Sequence, residues 1–101
     1  MQYEIKTGSD AIHLTISGRL TFAEAIHFPQ VLSELAASPS KGPLEIHLSQ
    51  MDFIDSTGMS LFVHIYDWTQ SVGAKVTIHK ASGPVYAALD RAAFNTLFEF
   101  K

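Results

Sequence analysis

Asp55-Ser56-Thr57-Gly58 sets a carboxylate and two hydroxyls on consecutive residues, with a glycine directly behind them. Ahead lies Leu44 to Leu48, apolar and polar in alternation, which reads as a strand. Behind lies Met59 to Val72, apolar at helical spacing. The hydroxyls therefore fall where a strand turns into a helix. The first amides of a helix have no intrahelical partner and favour an oxygen acceptor or an anion. Asp55 or Ser56 can supply that N-cap oxygen, and Gly58 lets another backbone approach. A hydroxyl at such a point is exposed and suited to accept a phosphate. The helix end favours the phosphate while Asp55 and Asp52 repel it, so modification changes what the surface offers a partner.

Other chemistries find less support. A hydrolase built on Ser56 needs a base in contact, and the G-x-S-x-G elbow is absent. His64 lies eight residues on, about two helical turns away. Neither a P-loop nor G-x-G-x-x-G occurs, so no nucleotide site is indicated. No enzymatic activity and no cofactor are expected. His13, His47 and His79 fall on the polar side of their strands, where they could share a sheet face. None lies in a short ligand motif, and His27 and His64 belong to helices, so surface imidazoles rather than a metal site are expected.

A chain of 101 residues with 47% hydrophobic content and mean hydropathy +0.13 predicts one ordered domain over residues 1–101. The formal charge of −3 leaves no basic footprint for direct nucleic-acid binding. No cysteine is present, which excludes disulfides and thiolate metal ligands. Met1 to Lys6 does not read as a secretory leader, and no apolar run reaches membrane-spanning length. The expectation is a cytoplasmic protein without membrane insertion.

Around the motif, the elements follow from periodicity. Gln2 to Lys6 and Ala11 to Ser17 suggest a hairpin across the turn Thr7-Gly8-Ser9-Asp10. Thr21 with Glu24 fits a capping box. Phe28, Leu32 and Leu35 share one helix face, and Pro29 kinks a helix predicted from about Phe22 to Ala37. Ser38 to Pro43 is a loop. On the helix after the motif, Leu61, Phe62, Ile65, Trp68, Thr69 and Val72 form a core stripe. Met59, Val63 and Tyr66 form a second stripe, which either is buried or gives a partner patch beside Ser56. Gly73 ends that helix, and Lys75 to Lys80 is a further strand. Ser82-Gly83-Pro84 leads into a last helix carrying Val85, Ala88, Leu89 and Ala92, with a short strand from Leu97. Strands alternating with helices argue for α/β crossovers. Amphipathic strands argue for one open face. The fold class is therefore α/β: a small mixed sheet of four to five strands with helices mainly on one face.

Phe53-Ile54-Asp55-Ser56-Thr57-Gly58-Met59 resembles the signature of STAS domains of the anti-sigma factor antagonist type, and the element order agrees from about Gly18 to Phe98. The resemblance implies that Ser56 is phosphorylated by a partner-switching serine kinase, with Thr57 the second choice. It implies an anti-sigma factor or similar kinase regulator as partner, bound when Ser56 is unmodified, and a serine phosphatase that resets the switch. Asp55, Ser56, Thr57, Gly58, Met59, Val63, Tyr66 and Thr21 are the expected partner-binding residues. Gly18-Arg19-Leu20-Thr21 stands where many antagonists carry Gly-x-Leu-Asp, and His47 where the strand before the motif often carries Asp. Both differences bear on partner choice. The alternative is a constitutive STAS-type subunit of a membrane lipid transport ATPase complex, in which the hydroxyl is only an interface residue.

Overall fold

The computed structural model describes residues 1–38, 42–81 and 83–101. The loop reading over 39–41 and at Ser82 lies outside the described residues.

Among the described residues, six strands form a mixed sheet. They are β1 (Gln2–Thr7), β2 (Ile12–Leu20), β3 (Leu44–His47), β4 (Met51–Ile54), β5 (Val76–His79) and β6 (Glu99–Phe100). The order is β1-β2-β3-β5-β6, with β4 beside the far end of β2. β1 and β2 make the antiparallel hairpin, while β2–β3, β3–β5, β5–β6 and β2–β4 are parallel.

β2 is the strand on which the others depend. Ile12 to Thr15 pair with β3, and Gly18 to Leu20 pair with β4. The change of partner falls at a bulge between Gly18 and Arg19. Gly18 has φ +83, a left-handed conformation that L side chains resist. Its N–H donates to the Gln50 carbonyl at 3.0 Å, which fixes the divergence of β2 from the main sheet. The four-to-five-strand estimate thus falls short, because Met51–Ile54 is a strand. It buries Met51 and Ile54 and exposes Asp52 and Phe53, a pattern with no period of two.

Among the described residues, three α-helices complete the fold: α1 (Phe28–Ala36), α2 (Ser56–Val72) and α3 (Gly83–Arg91). The single kinked helix is corrected to two pieces. Phe22–His27 is a 3-10 turn, and α1 starts afresh with Pro29 in its first turn. Proline lacks the N–H that a first turn leaves unused, so it begins a helix more readily than it bends one. The Thr21–Glu24 capping box is also absent. The Thr21 side chain makes no cap, and the Glu24 carboxylate accepts from the Met1 ammonium at 3.1 Å instead.

Ile12, Leu14, Ile16, Leu44, Ile46 and Ile78 line one sheet face. They join Phe28, Val31, Leu35, Leu61, Phe62, Ile65, Val85 and Leu89 from the helices in one core. Each such side chain, fully buried, contributes about 1.5–3 kcal/mol. Phe94 and Phe98 close the core edge-on against Phe62, with centroids at 6.5 and 6.4 Å. Val72, read as a core position, and Ala92, read on one helix face with Val85 and Leu89, are exposed. Val72 is the last residue of α2, and Ala92 follows the last residue of α3.

Candidate functional site

The site forms where β2, β4 and the start of α2 converge. Asp55 is the N-cap residue, extended at φ −109 and ψ −177. Its Oδ1 accepts from the Gly58 N–H at 2.7 Å, and its Oδ2 accepts from the Phe22 N–H at 3.1 Å. The Asp55 N–H donates to the Leu20 carbonyl at 3.2 Å. One carboxylate therefore caps α2 and ties down the segment that follows β2. Gly58 is buried because the end of β2 lies against it. A Cβ there would stand 2.2 Å from the Leu20 carbonyl oxygen. Gly58 therefore makes a close backbone approach rather than a contact surface.

Ser56 is the first residue of α2 and is exposed. Its hydroxyl has no hydrogen-bond partner among the described residues. The Gly58 amide is taken by Asp55 Oδ1 and the Met59 amide by the Asp55 carbonyl, leaving the Ser56 and Thr57 amides at the open helix end. An anion on the Ser56 oxygen thus meets a favourable helix end and, beside it, the Asp55 carboxylate. Thr57 is half-buried, and its carbonyl accepts from the Ser60 hydroxyl.

The second stripe on α2 divides. Val63 is exposed, whereas Met59 and Tyr66 pack against the core and Tyr66 meets Phe98 edge-on at 5.8 Å. Larger apolar exposure lies on the 3-10 turn, which packs against α2: Phe22 is 74% exposed and Ile26 80%. Sequence reasoning missed this pair. Their spacing of four looks like one more turn of an amphipathic helix, and the only signal against it is their offset from the Phe28-Leu32-Leu35 stripe. Arg19 lies over the Phe53 ring at 4.3 Å and puts a cation beside the site. Thr21 is half-buried at the start of the turn.

The three histidines do share the polar sheet face. His47 stacks on His79 at 4.9 Å and on His13 at 5.3 Å, with planes within 19° of parallel. His13 Nδ1 and His47 Nε2 are 3.1 Å apart. His79 Nε2 is closed off from solvent, 3.5 Å from Glu45 Oε1, without a hydrogen bond. Burial and the neighbouring His79 and His13 hold His47 below the ordinary imidazole range, against the pull of Glu45. Stacked rings do not aim their nitrogens at one point. Among the described residues, no three His, Cys, Asp or Glu side chains make a group that could hold a metal ion.

The family model for the STAS domain matches residues 2–101. The chain belongs to the STAS domain family. Solved structures agree in fold. A candidate anti-sigma factor antagonist from Thermotoga maritima superposes with TM-score 0.84 at 18% identity, over 97% of this chain and 84% of that one. The anti-sigma factor antagonist SpoIIAA in its unphosphorylated form gives TM-score 0.71 at 12% identity, over 99% and 87%. A murine anion transporter of the Solute Carrier 26 family gives TM-score 0.72 at 17% identity, over 89% of this chain and 15% of that one. Such identities establish the fold and no more. Among curated proteins, none matches the chain by sequence. No helix among the described residues is long and apolar enough to cross a membrane.

Proposed function

We propose that this STAS domain is a protein-binding regulator controlled by phosphorylation of Ser56 in a cytoplasmic partner-switching pathway. With Ser56 unmodified it binds an anti-sigma factor, or a similar serine-kinase regulator. A serine kinase ends the complex and a serine phosphatase restores it. The protein supplies no catalysis, and Ser56 is a substrate.

The observation that carries this reading is the exposed, unpartnered Ser56 hydroxyl on the first residue of α2, beside an aspartate already committed to two backbone amides. Phosphorylation adds about −1.5 to −2 charge at that point. The helix end tolerates the charge, so the fold survives. Asp55 cannot turn away from it without uncapping α2, so the added charge acts outward. The apolar surface of Phe22, Ile26 and Val63 and the half-buried Met59 provide what a partner would cover, and a hydrated dianion at its margin opposes that burial. The likeness to SpoIIAA, an anti-sigma factor antagonist whose structure is that of its unphosphorylated form, supports the reading.

Intact-mass and phosphopeptide analysis of the protein isolated from its own cells, with phosphatase inhibitors present, tests it. The expected result is a single phosphate on the peptide holding Ser56. Phosphate confined to other residues, or none under any growth condition, contradicts it.

A further inference from the structure

We propose that β1 is a self-pairing edge: the chain forms a two-fold dimer in which β1 lies antiparallel to β1 of a second copy, with Ile5 on the axis.

The sheet order leaves the outer side of β1 without a strand neighbour among the described residues. It is a six-residue edge, against two residues for β6 at the other side. Successive residues of an antiparallel strand turn their backbone N–H and C=O groups to opposite sides. Two hydrogen bonds fix that alternation. Gly8 N–H donates to the Ala11 carbonyl at 2.8 Å, so Gly8 faces β2. Ile12 N–H donates to the Pro43 carbonyl at 2.9 Å, so Ile12 faces β3, and its partner Thr7 faces outward. Counting back, Gln2, Glu4 and Lys6 bond β2, and Tyr3, Ile5 and Thr7 present their backbone groups to the open edge. None of these is proline.

Charge then chooses the register. In a symmetric antiparallel pair, outward residues must oppose outward residues, which leaves axes passing through single residues of β1. An axis on Glu4 opposes Glu4 to itself, and one on Lys6 opposes Lys6 to itself. Axes on Tyr3 or Thr7 shorten the overlap. An axis on Ile5 opposes Glu4 to Lys6 of the second copy, twice. It also lets Ile5 exchange bonds with its own equivalent and Tyr3 with Thr7. Glu4 and Lys6 then occupy non-hydrogen-bonded positions, where facing side chains come closest. In the single chain they sit 3.5 Å apart and 65% and 75% exposed, a weak pair free to exchange partners. Charges on an edge usually discourage pairing, but these two have opposite signs at a spacing that cancels in this register alone. Tyr3 and Ile5, half-buried, add apolar contact on the other face.

The seam leaves Ser56 open. β1 pairs along Ile12 to Ser17 of β2, while the α2 start is held by Leu20 beyond that stretch. A dimer therefore displays two copies of the Ser56 surface.

Sedimentation velocity over a concentration series tests the proposal, with circular dichroism confirming that each variant is folded. Wild type is expected to be a reversible dimer. Glu4→Lys and Lys6→Glu are each expected to dimerise about tenfold more weakly or worse, because both inter-chain pairs become repulsive. The double variant Glu4→Lys/Lys6→Glu is expected to regain the dimer, as is an equimolar mixture of the two single variants. A wild type that stays monomeric at every concentration overturns the proposal. Single variants that dimerise as wild type does, or a double variant that does not recover, overturn it equally.

Discussion

Asp55 holds two amides with one carboxylate, Gly58 N–H through Oδ1 and Phe22 N–H through Oδ2. Loss of an N-cap oxygen costs about 0.5–2 kcal/mol, and the second bond places Asp55→Ala at the upper end. Urea denaturation should show a loss of about 2 kcal/mol, with Asp55→Asn losing less because an amide oxygen still caps Gly58. Gly58→Ala tests the other half of the junction. Its Cβ would overlap the Leu20 carbonyl, a rigid backbone atom, so a loss of about 1–3 kcal/mol is expected. A variant as stable as wild type would show that β2 and α2 can separate freely. The motif residues were legible in the sequence because their spacing is local. What Asp55 and Gly58 touch was not, since Leu20 and Phe22 lie more than thirty residues earlier.

Three neighbouring strands bring His13, His47 and His79 into one stack. Adjacent parallel strands put His47 directly opposite His79, while His13 lies diagonally, one pair from Thr15. The 3.1 Å contact between His13 and His47 needs one donor and one acceptor, so it fails once both rings are cations. Glu45, 3.5 Å from His79, is one carboxylate on this face; Glu4 and Lys6, paired with Thr15 and His13 across the hairpin, and Glu99, paired with Thr77, share it. A histidine held below its unfolded value binds fewer protons folded than unfolded. Stability is then present above about 6.5 and falls as pH drops below it. Chemical denaturation at about pH 7.5 and about pH 5.5 should show a larger acid loss for wild type than for His47→Gln. Equal losses would remove His47 from the account. Alternation along each strand predicted the shared face. It could not predict stacking, which depends on how the strands are staggered.

Across the whole molecule, stability comes from the buried core, and the proposed partner surface lies outside it. The core runs from one sheet face into α1, α2 and α3, and its alternation and helical spacing were readable in advance. β4 was not, because four residues with only their ends buried carry no period. The exposed pair Phe22 and Ile26 was hidden for a similar reason, as a 3-10 turn mimics the start of α1. Ile26 is 80% exposed, so Ile26→Asp should change stability by no more than about 0.5 kcal/mol. It should weaken capture of the partner at least about tenfold if that surface is covered in the complex. Unchanged capture would move the interface off the turn. The measurement closest to the central claim uses three baits in the native lysate: wild type, Ser56→Ala and Ser56→Asp. The expected result is a partner retained by wild type and Ser56→Ala and lost by Ser56→Asp. Equal retention by all three would make Ser56 only the first residue of a well-capped helix, and the domain a fixed subunit rather than a switch.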